Sequence, residues 1–205
     1  MGKVKIKKKD VFIDMTPMSD VMVLLLTFFM LTSTFVKKEP VKVFTPASVS
    51  EIKIPEKNVL SILVDKTGKV FMSLDNRNDM DMVLADMTEQ YGLTLNTQQR
   101  ANFVSASIFG SPMKALGQWL ALPNDQRDQA LAALGVPTDS VGGKHSEFQN
   151  WIIFARKENP QLKLAIKADA ATPYRTIKRV MSSLQDIREN RYYLITNLKK
   201  LEEDK

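Results

Sequence analysis

Residues 13–35 read IDMTPMSDVMVLLLTFFMLTSTF, and the rest of the chain is arranged around them. Within this stretch, residues 21–31 hold ten apolar side chains interrupted only by Thr27. Residues 15–35 number 21, which at about 1.5 Å per residue make roughly 31 Å of helix. That matches the ~30 Å hydrocarbon core of a bilayer. Elsewhere the composition is that of an ordinary soluble chain. The sequence therefore predicts one membrane helix, over residues 13–36.

Asp20 is out of place in such a helix. A carboxylate at the bilayer centre costs about 2.5–3.5 kcal/mol on insertion scales, and less near an interface. Two readings follow. Asp20 is either a first-turn charge at the headgroup boundary, favoured there by the helix dipole, or a functional acid. Helical phase bears on the choice. At about 100° per residue, Thr16, Asp20, Thr27 and Thr34 fall within about 40° of one direction and make a polar seam. Thr32 and Ser33 point elsewhere. Membrane hydroxyls often bond their own backbone carbonyls, but an acid and three hydroxyls on one stripe read as a wall facing protein or a water path.

The 205 residues carry 29 Lys and Arg against 23 Asp and Glu, a net charge of +6. That excess has a location. Lys3, Lys5, Lys7, Lys8 and Lys9 precede the span, and Lys37 and Lys38 follow it. Five against two places the N-terminus in the cytoplasm by the positive-inside rule. The lysine cluster abuts a membrane helix and has no interleaved aromatics, so no nucleic-acid partner is expected. A cleaved signal peptide is the competing reading. No Ala-rich cleavage site follows Leu31, and an acid opens the run, so an uncleaved anchor is expected. The chain has no cysteine and a single histidine, His145, in a predicted loop after Gly142 and Gly143. Neither a metal site nor a cofactor is expected.

Beyond the span, residues 37–58 read as a linker, with Pro40, Pro46 and Pro55 and many charges. Val41, Lys42, Val43 and Phe44 alternate enough to add to a sheet edge. Residues 59–64 (VLSILV) and 69–74 predict two strands around an Asp65–Gly68 turn. Asn78 or Asp79 is expected to cap a helix with Met80, Val83, Leu84, Met87 and Tyr91 on one face, ended by Gly92. At the far end residues 162–167 and 192–196 predict strands. Between them Thr172 is expected to cap, and Pro173 to open, a helix with Ile177, Val180, Met181, Leu184 and Ile187 on one face. Asp169 reads as a turn and capping residue.

Residues 94–158 carry helical signals. Helices are predicted from a Thr97 cap to Ser107, from Ser111-Pro112 to Leu122, from Asn124 to Leu134, and from Ser146 to the break at Asn159-Pro160. Trp119, Phe148, Trp151 and Phe154 supply aromatic bulk. Two readings stand: a helical subdomain packed on the sheet, or a docking surface for a partner. Neither a nucleophile elbow, nor a Walker loop, nor paired metal ligands appear, so no enzyme is expected.

Asp14-Met15-Thr16-Pro17-Met18-Ser19-Asp20-Val21-Met22 resembles the ExbD/TolR family pattern, roughly N/D-x-T-P-x-x-D-V-M/L before an apolar run. Residues 164–198 resemble the family's C-terminal strand–Asp–helix–strand unit. Residues 94–158 are an insertion that the family usually lacks, and the flanking halves suggest an outer domain that folds without it. The resemblance implies that Asp20 is the proton-carrying residue of an inner-membrane motor, with Thr16 and Pro17 as matching motif residues. It implies an ExbB-like polytopic ring and a TonB-like protein as partners, and a homodimer within the complex. It also gives residues 41–44 a part in pairing between copies and in partner contact, although Phe44-Thr45-Pro46 stands where the family's best-known members have Asn-Leu-Pro.

The expected fold class is α+β. It comprises a basic cytoplasmic tail (1–12), one membrane helix (13–36), a periplasmic linker (37–58) and a small mixed α/β periplasmic domain (59–205) with the helical insertion. The expected function is an ExbD-like subunit energising TonB-dependent outer-membrane transport. The alternatives are a TolR-like subunit of the Tol-Pal envelope system, or a passive single-pass tether.

Overall fold

The computed structural model describes residues 16–33, 40–41, 43–48, 57–140 and 145–198. The predicted basic tail, Thr34, Lys42 and the loop glycines Gly142 and Gly143 lie outside the described residues. The chain divides into two units, Met1–Lys38 and Glu39–Lys205.

In the first unit, helix α1 spans Thr16–Thr32. Pro17 sits in its first turn, where its missing N–H has no intrahelical partner to lose. The 17 residues give about 26 Å of helix. No described helix is long and apolar enough to cross a membrane. Residues 13–15 and 34–36 of the predicted span lie outside the described residues.

The second unit is built on a four-stranded sheet. Strands β2 (Val59–Val64) and β3 (Val70–Leu74) form the expected hairpin, pairing Leu60 with Leu74 and Val64 with Val70. Its turn is set by Asp65, whose Oδ1 accepts from the backbone N–H groups of Thr67 (2.8 Å) and Lys69 (3.0 Å). Strand β4 (Lys163–Ala168) runs parallel to β2, and β5 (Tyr192–Leu194) runs parallel to β4. The order is β3-β2-β4-β5. A separate parallel pair joins β1 (Ala47–Ser48) to β6 (Asn197–Leu198). Of the strand expected at residues 41–44, Lys42 lies outside the described residues, and Val41, Val43 and Phe44 carry no ladder within this chain. The ladder begins at Ala47, because the backbone at Phe44 is taken up by the turn at Asp169.

Helix α2 (Arg77–Tyr91) buries Met80, Val83, Leu84 and Met87, as its spacing predicts. Its cap is Asn76, not Asn78 or Asp79: Asn76 Oδ1 accepts from Asn78 N at 3.0 Å. Gly92 ends it at φ +63°, a conformation that glycine adopts without a Cβ penalty. Helix α7 (Tyr174–Asp186) buries Val180, Ser183 and Leu184. Thr172 does not cap it; its hydroxyl donates instead to Asp65 O at 3.0 Å, tying two turns together.

The insertion forms α3 (Thr97–Ser105), α4 (Met113–Ala121), α5 (Asn124–Ala133) and α6 (Glu147–Glu158). Asn96, rather than Thr97, makes a capping box with Gln99. Ser146 and Gln149 make the second box at the expected place. Glu147 of α6 also accepts from Met113 N at 2.8 Å, so it caps α4 across the fold.

These helices form a wall of the one core. Trp151 stacks on Phe103 at 5.7 Å and meets Phe109 at 4.8 Å. All three are buried in the same cluster as the sheet residues Leu60, Ile62, Phe71 and Met72. Phe109 pairs with Met72 through two backbone hydrogen bonds, of 2.7 and 2.8 Å, and Val136 N donates to Val70 O at 2.8 Å. The insertion thus covers the β3 edge. Gly110 permits this approach, since a Cβ there would lie 2.4 Å from the Phe71 ring. Asp79, 7 % exposed, is held by the side-chain amides of Asn76 (2.8 Å) and Asn159 (2.9 Å). That contact links the start of α2 to the end of α6.

The packing turns round the expectation that residues 94–158 can be removed. Replacing them with a short Gly/Ser linker in residues 39–205 should abolish cooperative thermal unfolding, because the sheet loses its aromatic wall. Trp151→Ala should destabilise the same unit by about 3–5 kcal/mol in urea titration. A cooperative melt of the excised protein would show that the sheet and α7 suffice.

Candidate functional site

The first candidate site is α1 itself. Eleven large apolar residues on it are exposed, from Met18 at 61 % to Leu31 at 86 %. They lie all round the helix rather than on one stripe. A helix apolar on every side is stable only against lipid or other protein.

On this helix Thr16, Asp20 and Thr27 share a face, at positions i, i+4 and i+11 of one unbroken α-helix. Thr34 is outside the described residues. Thr27 Oγ1 donates to the carbonyls of Val23 and Leu24, both at 2.9 Å. Its hydroxyl is thus satisfied within the helix, and it contributes a small, internally bonded surface beside the acid. Thr32 does the same toward Phe28 O at 2.8 Å. Asp20 is the only charged residue of α1.

The second candidate site is the first described segment of the second unit. Of the residues singled out there, Val41 and Val43 are buried, at 6 % and 9 % exposure. Phe44 is 73 % exposed, and Lys42 lies outside the described residues. The three described residues are thus not one open surface: the valines are buried, and Phe44 faces outward.

What holds this segment is Asp169. Its Oδ1 accepts from Ala171 N at 2.9 Å, the local turn that the sequence suggests. Its Oδ2 accepts from Phe44 N at 2.9 Å, 125 positions away. Ala170 N donates back to Phe44 O at 2.8 Å. The amides of Ala171 and then Phe44 hold the Asp169 carboxyl below its ordinary range, against the opposing effect of burial. An Asp after a strand signals a local turn, but nothing in the sequence signals its long-range partner.

Among the described residues no group of three or more His, Cys, Asp or Glu is gathered as a metal site would require.

The sequence model described as biopolymer transport protein ExbD/TolR matches residues 7–199, nearly the whole chain. No curated protein and no solved structure matches the chain.

The Asp169 contacts carry a pH signature. Its folded-state pKa lies below the unfolded value of about 3.9, so its contribution is complete above that pH. It is lost as pH falls toward the folded value. Asp169→Asn should lower the Tm of residues 39–205 at pH 7. Below about pH 4 its stability should also fall less steeply than that of the unaltered protein. Urea titrations at several pH values measure this, and parallel curves would show that Asp169 is not the titrating group.

Proposed function

Because the chain belongs to the ExbD/TolR family, whose members are generally inner-membrane proteins of biopolymer transport, we propose that it is the ExbD-like subunit of a proton-driven motor. The observation that carries this reading is α1: a helix with apolar side chains exposed on every side and a single carboxylate among them. In this reading α1 is the described part of a membrane-spanning helix. The surface that covers it is lipid and an ExbB-like polytopic ring.

Asp20 is the proton carrier of this reading. A bare charge in apolar surroundings is costly, so in this reading the acid crosses apolar surface with its proton on. Ionised, it seeks a polar partner on the ring. The membrane potential supplies about 2.3 kcal/mol per charge per 100 mV, before any pH gradient. Alternation between the two forms would drive the helix relative to the ring. Thr16 and Thr27 flank the acid with small polar groups. The work would reach a TonB-like protein through the outer unit, acting as a homodimer. The chain is a transducer here and not an enzyme. The lysine bias orients it with the N-terminus in the cytoplasm and the outer unit in the periplasm, and a periplasm-only reporter fused before Gly2 should stay silent.

Asp20→Asn keeps size and polarity but cannot release a proton. Membrane insertion and recovery of the complex should be unchanged, while uptake through TonB-dependent receptors is lost. Asp20→Glu should retain part of the activity. Because the Thr27 hydroxyl is bonded within the helix, Thr27→Val should weaken uptake less than Asp20→Asn does. Normal uptake by Asp20→Asn would make the passive tether the better account. Normal TonB-dependent uptake with failed envelope constriction would point to the TolR-like role.

A further inference from the structure

Strands β2 and β4 run in parallel from Val59 and Lys163 to Val64 and Ala168, so the turns that follow them lie at one end of the sheet. Other pieces of chain join them there. The hairpin turn after β2 packs on the first turn of α7: a Cβ on Gly68 would lie 3.2 Å from the Thr176 side chain. The turn after β4 is tied to the hairpin by Thr172 Oγ1, which donates to Asp65 O at 3.0 Å. Phe44 meets the same turn, donating its N–H to Asp169 Oδ2 at 2.9 Å and accepting from Ala170 N at 2.8 Å.

This end presents two kinds of side chain. Phe44 is 73 % exposed and Tyr174 72 %, more than any other large hydrophobic residue described in the second unit. Exposed with them are Lys66 at the hairpin tip and Arg175 and Lys178 on the outer face of α7, with Lys178 one turn from Tyr174. The acids of this end are turned to local donors. Asp65 accepts from Thr67 N and Lys69 N, and Asp169 from Ala171 N and Phe44 N. Arg179 is paired with Asp139 at 3.6 Å. Among the described residues, Lys66, Arg175 and Lys178 form no close ion pair, and Lys66 acts on Asp169 only at longer range.

We propose that this end of the second unit docks on the bilayer surface, with Lys66, Arg175 and Lys178 on anionic lipid headgroups and Phe44 and Tyr174 in the interfacial layer. Aromatic rings settle at headgroup level, where the ring is covered and a phenol stays wet. Each Lys or Arg close to an anionic surface strengthens the contact about fivefold. An acidic protein surface would answer the cations. Two prominent rings need a layer that admits them without a shaped pocket, and the headgroup region is such a layer. Chain length permits the contact: eleven residues separate Thr32 of α1 from Phe44, at most about 43 Å of backbone. The docking rests on the reading of α1 as a membrane helix.

The full chain in nanodiscs tests it. The sequence has no cysteine, so Ser182→Cys, on the outer face of α7, takes a single fluorophore. Asn78→Cys is the control. It is exposed at the start of α2, near the opposite end of the sheet, where Asp75 N donates to Val59 O. In discs of phosphatidylglycerol and phosphatidylcholine, a headgroup quencher should act at least about threefold more strongly on the label at 182 than on that at 78. In phosphatidylcholine alone the two should be alike. Combining Lys66→Gln, Arg175→Gln and Lys178→Gln should lower the docked-to-undocked ratio about 100-fold. About 0.5 M salt should act in the same direction. Phe44→Ser with Tyr174→Ser should weaken docking and leave its salt dependence in place. All five residues are exposed, so the melting temperature should not change. Equal quenching at the two labels in anionic discs, or undiminished docking by the triple variant, would overturn the proposal. A label at 182 shielded in cells but not in anionic discs would also overturn it and point to an acidic protein partner. Carbonate extraction separates the two levels of the reading. Release of the chain by carbonate would overturn the membrane helix, whereas a retained chain with an unquenched label would overturn the docking alone.

Discussion

The second unit depends on the parallel pairing of β2 with β4. Six residue pairs join them, from Val59↔Lys163 to Val64↔Ala168, across about a hundred residues of chain. A parallel pair cannot be closed by a tight turn, so its crossover must leave the sheet and come back over a face. Here the chain first turns back as β3, then leaves the sheet with α2 and returns through α6. Everything inserted between them must pack wherever that path runs. This explains why residues 94–158 share the core with the strands rather than stand apart as a separate lobe. The cross-connections follow the same path. Asp79 and Asn159 join the two ends of the crossover, and Gln149 Nε2 reaches Ser183 O at 2.9 Å to tie α6 to α7.

Local order was largely legible in the sequence. The hairpin turn at Asp65, the Gly92 stop and the Ser146 box are short-range chemistry, and each sits where its residues indicate. The buried faces of α2 and α7 follow from their apolar spacing. Where two adjacent polar residues could cap, the sequence could not choose. Asn76 wins over Asn78 because its carbonyl oxygen reaches an N–H two positions on. Long-range partners were not legible at all. Thr172 looks like a cap because it precedes Pro173, yet its hydroxyl goes to Asp65 O. Asp169 shows its local turn but not its hold on Phe44. The aromatics of the insertion left core and docking readings open; the stacking of Trp151 on Phe103 decides for the core. On α1 the placement of Asp20, Thr16 and Thr27 on one face follows from helical periodicity alone. That Thr27 satisfies its own hydroxyl within the helix does not.

The two units solve opposite solvation problems. The second unit buries most of its large apolar side chains among themselves and holds ion pairs such as Arg100 with Asp81, 3.0 Å apart, at the surface. Such exposed pairs add little stability, so the core supplies most of it. Helix α1 buries none of its residues. At about 25 cal/mol per Å² of apolar surface, its uncovered face is a strong drive toward lipid or protein. The same drive makes Asp20 costly unless something on the covering surface receives it. The acid therefore constrains what can surround α1 more tightly than any apolar residue on it does.

The sheet order separates the helices of residues 94–158 from the lead-in segment. The insertion covers β3, at one edge, through Phe109 and Val136. The lead-in segment is held at the turn after β4, one of the two central strands. Force entering along residues 41–48 would therefore meet β4 and, through Asp169 N to Val64 O, the end of β2, before it reached the insertion. Parallel strands pulled along their length resist in proportion to the ladder bonds that must break together, and β2–β4 is the longest parallel ladder described. The β3 edge lies outside that path. Added helices there can thicken the core and close an aggregation-prone edge without interposing themselves between tether and sheet.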